Sequence, residues 1–318
     1  MSYGFNLDKF ADKDYMNQLA TQITSLYFAE GRTADIVENL PANKNKATLN
    51  MFSNDATVQE AGDCSFTPDS QVNLIQKVCE IKKFKINDKL CPKQLESTYL
   101  AMMMKNNTDI PFERSLGESY LSKIRLFNED FTWGGFEDYD GLLAQFAKDN
   151  TVIDASAEVD AAMSGTDGSR IEAVNAMIAK ADANILASDD VRMFCSVSFY
   201  TAYVQELLKA NLYIMPQTYN NGDPTKMELT IPGTTIKLTP CLGIDNATYV
   251  KDDGEYLILT YSKNIVVSYD GVDNSEKFEM ISNPYDGGNV YVTAEWGYGS
   301  AYKWGNRTVI GYTLVSES

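Results

Sequence analysis

The segment from Pro111 to Trp133, PFERSLGESYLSKIRLFNEDFTW, constrains the chain more than any other stretch. Phe112, Leu116, Tyr120, Ile124, Phe127 and Phe131 recur at intervals of three or four, which lays one apolar stripe along a single helix. Asp109 is placed to cap its start, Pro111 suits the first turn, and Gly134-Gly135 end it where a left-handed residue is favoured. At about 1.5 Å per residue the helix spans roughly 35 Å, the width of a small domain. Arg114, Ser115, Glu118, Ser122, Lys123, Arg125 and Glu129 are expected on the opposite, solvated face. A rod this long with one greasy side is a strut that needs a layer to lie on.

The residue inventory removes most chemistry. The chain of 318 residues contains no histidine, which excludes Ser-His-Asp and Cys-His mechanisms, histidine-ligated metals and histidine pH switching. Five cysteines (Cys64, Cys79, Cys91, Cys195, Cys241) show no CxxC spacing and are expected as free thiols of a reducing cytoplasm. No glycine pattern matches a phosphate-cradling loop. Asp138, Asp140 and Gly141 echo a calcium loop without its remaining ligands, and the acid pairs Asp189-Asp190 and Asp252-Asp253 read as caps or solvated loops rather than glycosidase carboxylates. No catalytic, cofactor-binding or metal-binding residues are therefore expected, and the chain reads as a non-enzyme. The sequons at Asn106, Asn246 and Asn306 carry no weight without export, and the opening MSYGFNLDKFADKDY has neither a basic flank nor an apolar run. No stretch of about 18 apolar residues suggests a membrane span. With 27 basic against 44 acidic residues the net charge is −17, so the surface as a whole should repel nucleic acid and anionic membrane.

Along the chain, residues 1–44 read as an arm: a helix over Lys13 to Ala29, then a helical turn over Thr33 to Leu40 that stops at Pro41. The arm is too short to bury its own stripe and needs its own body or a neighbour. A strand over Ala47 to Phe52 and a long strand over Gln71 to Asn87 make an extended hairpin, too thin to be stable alone. Lys77, Lys82, Lys83, Lys85, Lys89 and Lys93 cluster at its base, either as a docking patch for an acidic surface of another copy or as a solvated strand edge. A helix follows Pro92, with Met102 to Met104 as gap-filling core. Beyond the strut, Ser169 caps one helix, Val191 to Val197 is a buried strand and Ser198 starts another helix, which together suggest an α/β layer. The last third is mainly β, with strands at 227–231, 235–238, 256–261, 264–270, 289–296 and 308–314 and a tight turn at Pro232-Gly233.

In this order the segments IKKFKINDKLCPKQLESTYL, PFERSLGESYLSKIRLFNEDFTWGG, YDGLLAQFAKD, RIEAVNAMIAKADANILASDDVRMFCSVSFYTAYVQELLKANLY, IPGTTIKLTPCLGI and YLILTYSKNIVVSYD resemble the major capsid proteins of tailed bacteriophages. The resemblance is to the Hong Kong 97-type fold, nearest those of phages infecting Bacteroidetes, including the crAss-like group. It implies an α+β capsid fold divided into an N-terminal arm (1–44), an extended hairpin loop (45–90), a peripheral domain with the spine helix (91–135), an α/β axial domain (136–258) and peripheral-domain strands (259–318). It implies a subunit that self-assembles as pentamers and hexamers into an icosahedral shell around double-stranded DNA, without sequence-specific binding, in the virion after assembly in the host cytoplasm. Scaffold, portal and decoration proteins are the implied partners, and the short arm favours a separate scaffold. No Lys, Asn and acid trio aligns with the cross-link of some members, so non-covalent assembly is expected. Two other readings remain open: an encapsulin-like compartment around a cargo enzyme, and a secreted carbohydrate-binding module or glycosidase suggested by 3 Trp, 19 Tyr, 14 Phe and the acid pairs.

Overall fold

The structure is a computed structural model that describes residues 32–42, 46–54, 72–91, 112–164, 168–212, 229–247, 254–270, 277–286 and 289–313. The expected helices at 13–29 and after Pro92, with Asp109 and Met102 to Met104, lie outside these residues. In chain order, α1 (Arg32–Ile36) leads to β1 (Glu38–Ala42), β2 (Lys46–Asn54), β3 (Val72–Glu80), β4 (Lys82–Leu90) and the long helix α2 (Phe112–Gly134). β5 (Gly135–Phe136) and β6 (Tyr139–Asp140) precede α3 (Leu142–Lys148), β7 (Ile153–Asp154), α4 (Ser156–Met163), α5 (Arg170–Lys180) and α6 (Ala183–Leu186). Next come β8 (Val191–Cys195), α7 (Val197–Lys209), β9 (Leu229–Thr230), β10 (Lys237–Pro240) and α8 (Leu242–Asp245). The chain continues as β11 (Tyr256–Tyr261), β12 (Ile265–Asp270), β13 (Lys277–Asn283), β14 (Asn289–Tyr302) and β15 (Val309–Tyr312).

Helix α2 lies where its stripe requires. Tyr120, Leu121, Ile124, Phe131 and Trp133 are buried against a five-stranded sheet in which β14 pairs antiparallel with β4, β12 and β13, and β1 adds parallel to β12. Phe84 of β4 meets Phe127 at 4.8 Å and Phe131 at 5.1 Å edge-on, each such pair contributing about 0.5–1.5 kcal/mol beyond its burial. Polar contacts fix the register: Trp296 Nε1 donates to Asn128 Oδ1 at 3.0 Å, and Thr132 shares a 3.0 Å bond with the Tyr298 hydroxyl.

Four local expectations change. Glu129 is not on the wet face: it is 8% exposed, because α1 docks over it and Thr33 donates both its N–H (3.1 Å) and its hydroxyl to the carboxylate. The turn expected through Leu40 ends at Ile36, and Leu40 and Pro41 belong to β1, an edge strand where a residue without an N–H is tolerated. The long strand of the hairpin breaks at Ile81, whose buried side chain joins Val266 and Ala301 while β3 leaves the sheet to pair with β2. The last large strand runs on past Trp296 to Tyr302, since Gly299 lets the backbone approach Glu80; a Cβ there would lie 2.2 Å from the Glu80 carbonyl oxygen. β13 had no sequence expectation at all.

The second sheet has the order β7-β15-β11-β8-β10-β9 and is covered on both faces. The in-register row Phe194, Ile258, Ile310 faces the α2 side, where Phe194 meets Trp133 at 5.4 Å. Met193, Leu259 and Val309 face α4, α5 and α7, packing with Val159, Met177 and Phe199. Two-sided burial is why VRMFC and YLILTY are mostly apolar instead of alternating, with Arg192 and Thr260 buried as polar exceptions, Arg192 paired with Asp190. Ser169 caps α5 as expected, its hydroxyl accepting from the Glu172 N–H. Helix α7 starts at Val197, one residue earlier than expected, so the strand expected to run to Val197 stops at Cys195; Ser196 is the cap, and the Ser198 hydroxyl donates to Asp245. In this sheet β11, which spans residues 256–261, pairs with β8 on one side and β15 on the other.

A polar knot joins the two layers. Asn264 is fully buried; its amide donates to Thr260, Thr308 and the Trp304 carbonyl, and its oxygen accepts the Trp304 N–H at 2.8 Å. Asn264→Leu leaves the Trp304 N–H without an acceptor, while the Trp304 carbonyl keeps the Thr308 hydroxyl at 3.3 Å, at a cost of about 1–3 kcal/mol. The expected result is a thermal midpoint lower by roughly 2–5 °C, measured by calorimetry.

Candidate assembly surfaces

The β2–β3 ribbon places its side chains on two unlike faces. Ala47, Leu49, Met51 and Cys79 are buried on the inner face, and burial pushes the Cys79 thiol up to about 12. On the outer face Phe52 is 70%, Leu74 60% and Val78 51% exposed. Phe52 stands directly across from Leu74, and the Gln76 amide donates to Asn50 at 2.8 Å beside them. Strands with large apolar groups on both faces have the composition of a buried layer, yet the described residues cover only one of those faces.

The root of the ribbon is fixed by side chains from three elements. The Tyr139 hydroxyl takes the Ser300 N–H at 3.0 Å and reaches the Ser300 and Glu80 carbonyls at 2.9 and 3.2 Å. Burial holds the Tyr139 phenol protonated far above its ordinary range. Lys77 lies 3.9 Å over the Tyr302 ring and 3.8 Å from Asp149, with its pKa lowered by burial against the pull of Asp149. Asp149 sits below the usual carboxylate range: burial raises it, but donors from Tyr302 and Thr151, then Lys77, outweigh that.

The basic cluster is thus largely engaged within the chain. Lys82 pairs with Glu137 at 3.3 Å, and Lys89 with Asp286 at 2.5 Å. Lys83 and Lys85 are exposed on the side of β4 away from α2, since Phe84 and Ile86 pack under the helix. Lys93 lies outside the described residues.

The other singled-out residues have structural roles. Asp190 pairs with Arg192 at 3.1 Å and Lys237 at 3.3 Å, Asp140 pairs with Lys148 at 2.5 Å, and Asp252 and Asp253 lie outside the described residues. Among the described residues no group of three or more His, Cys, Asp or Glu is arranged to hold a metal ion. Cys79, Cys195 and Cys241 are buried free thiols, and Cys91 is half-buried. A recess of about 200 Å³ between Gly134 and Ala144 is smaller than a typical ligand pocket, and its acids Glu137 and Asp140 already hold lysines. No helix among the described residues is long and apolar enough to cross a membrane. The contact set that sequence reading missed is the seat of α1: Thr33 between Glu129 and Trp133, and Glu38 paired with Lys303 at 2.6 Å.

No protein-family model matches the chain, and no curated protein matches it by sequence. Solved structures do. The capsid of a native GTA particle aligns with a TM-score of 0.59 at 9% identity, covering 90% of each chain. The procapsid of satellite phage P4, solved with its size determination protein, gives 0.57 at 10% identity over 92% of this chain and 89% of that one. The capsid of cyanophage P-SCSP1u gives 0.54 at 14% identity over 89% and 88%. The chain therefore has the mixed helix-and-sheet fold of Hong Kong 97-type capsid subunits.

Proposed function

We propose that the chain is the major capsid protein of a tailed phage, assembling as pentamers and hexamers into an icosahedral shell around double-stranded DNA. The observation that carries the reading is a ribbon with Phe52, Leu74 and Val78 on its open face, borne on a fold shared over nine tenths of its length with capsid subunits. Area that greasy is stabilised by a neighbour, and identical copies supply one at every position of a closed shell. In this reading residues 1–44 are an arm and 45–90 are the loop that overlaps the next copy. Residues 91–135 carry the spine, 136–258 with β15 form the axial unit, and the other strands of 259–318 return to the spine.

The subunit acts without catalysis, cofactor or metal, and scaffold, portal and decoration proteins are its further partners. Its place is the virion, after assembly in the host cytoplasm. The charge of −17 suits a lining along which packaged DNA slides without sticking. The finer attribution, to phages infecting Bacteroidetes, rests on the sequence segments alone. An encapsulin-like compartment differs in content, enclosing protein where the shell proposed here encloses DNA.

The test is expression of the full chain, alone and with co-expressed phage neighbours, followed by sedimentation and electron microscopy. Closed icosahedral particles are expected, running on a denaturing reducing gel as one band near 35.4 kDa because the contacts are non-covalent. A chain that stays monomeric in every case overturns the reading, and a ladder of multimers on the gel overturns its non-covalent part.

A further inference from the structure

The geometry points to an apolar seat between α2, α7 and α8 that holds residues 19–31 of the same chain. Three large apolar side chains from three elements stay open there: Leu126 of α2 at 43% exposure, Val197 of α7 at 37% and Leu242 of α8 at 45%. Each is tied to the point where the arm enters the described fold. The Thr33 hydroxyl lies 3.6 Å from Cys241 Sγ, and Leu242 is the next residue. Leu126 is one turn before Glu129, whose carboxylate takes the Thr33 N–H. Asp245, one turn after Leu242, accepts the Val197 N–H and so holds the head of α7 against α8. Gly243 brings the inner side of α8 close onto α2, a Cβ there lying 2.3 Å from the Glu129 carbonyl oxygen, while Leu242 beside it is turned outward.

What covers these groups follows from where the remaining lengths of chain join the fold. Residues 1–31 end at Arg32, the first residue of α1, beside the seat. Next to that junction, Tyr15 to Ala29 contains no charged residue, and the period that predicts a helix there puts Leu19, Ile23, Leu26 and Tyr27 on one stripe. Leu26 precedes Thr33 by seven residues, about 10 Å as helix and about 23 Å extended, so the stripe reaches the seat without leaving its own chain. The other long segments join elsewhere. Residues 55–71 close the ribbon, 92–111 enter α2 at Phe112, about 21 Å of helix from Leu126, and 213–228 follow the far end of α7, about 18 Å of helix from Val197. Residues 248–253 leave α8 itself, but they carry Lys251, Asp252 and Asp253 and lead straight back to β11. The acids bordering the seat, Asp130 and Asp245, already accept hydrogen bonds from Asn246 and from Val197 and Ser198, so an uncharged segment covers them without stranding a carboxylate. The contact lies within one chain and stands apart from the shell reading.

The test puts p-benzoylphenylalanine in place of Tyr27 in the full-length chain and maps its photocrosslinks by mass spectrometry. The expected product runs in the monomer band of a denaturing gel, is joined to peptides containing Leu126, Val197 or Leu242, and forms in the same yield on dilution. Leu126→Ser with Val197→Ser and Leu242→Ser should cut that yield by about tenfold or more and speed amide exchange over residues 19–31 by a similar factor. Ile23→Ser with Leu26→Ser leaves the body of the fold untouched and should speed exchange over the same residues as much, which separates loss of the contact from misfolding. A product in the dimer band, which would make the occupant a second copy, overturns the proposal. So do monomer-band links to the ribbon around Phe52 and Leu74, or exchange over 19–31 that is the same in wild type and both serine variants. Denaturing gels read free subunits and particles alike, so a chain that forms no particles overturns the shell reading and leaves this contact standing.

Discussion

Phe52→Ser combined with Leu74→Ser leaves the fold of the isolated chain intact and abolishes shell formation. Within one chain the pair is 70% and 60% exposed, so its loss costs only the cross-strand contact, about 0.2–1 kcal/mol. A thermal midpoint within about 2–4 °C of wild type follows. Between copies the account is different. Burying the open parts of a Phe and a Leu stabilises a contact by about 2–4 kcal/mol together, and every 1.4 kcal/mol is a factor of ten in association. Each ribbon contact weakens roughly 30- to 1000-fold, and a closed shell repeats that contact in every copy. Electron microscopy should show unassembled protein where wild type gives particles. Phe52→Leu with Leu74→Ile keeps the apolar area and should still assemble, which separates loss of burial from loss of ribbon structure. Assembly of the double serine variant at wild-type yield would remove the outer ribbon face from the interface.

The features legible in the sequence are those set by local period. Helix α2 holds one spacing for 23 residues, so its length and buried face follow without knowledge of its partners. The strand β4 was legible because Lys83 and Lys85 alternate with Phe84 and Ile86, and β8 because a short, mostly apolar run bounded by Asp and Ser has the form of a strand buried on both sides.

What was not legible depends on residues far apart in the chain. Glu129 reads as solvated because nothing near it announces Thr33, which is 96 positions away. The switch of partner from β2 to β14 leaves only the doublet Lys82-Lys83, across which the apolar phase moves from Cys79 and Ile81 to Phe84 and Ile86, and nothing in that doublet names the new partner. The lysine cluster was visible, but not that Lys77, Lys82 and Lys89 are held by Asp149, Glu137 and Asp286 of the same chain. The candidate surface was half read: hairpin and basic root could be named, whereas the exposure of Phe52, Leu74 and Val78 needed the register of β2 on β3.

Trp133→Ala is expected to be among the most destabilising single substitutions in the chain. The indole is fully buried at the end of α2, packs against Phe194 at 5.4 Å and donates its N–H to the Thr33 hydroxyl at 3.0 Å. Helix α8 fits so closely that a Cβ on Gly243 would lie 2.8 Å from the Trp133 ring, so little can collapse into the space left. Such truncations cost about 3–5 kcal/mol, a fall of roughly 5–8 °C in thermal midpoint. The same change removes one of the groups that seat α1, because Thr33 bridges Trp133 and Glu129. Glu129→Leu separates the two effects. It fills similar space but leaves the buried Thr33 N–H without an acceptor, a cost of about 1–3 kcal/mol placed on the α1 contact. Hydrogen exchange should then speed up over residues 33–42 in Glu129→Leu while the amides of β8 and β11 stay protected, whereas Trp133→Ala speeds exchange in all of them. Equal acceleration everywhere in Glu129→Leu would mean that α1 and β1 are an inseparable part of the core rather than a segment fastened onto it.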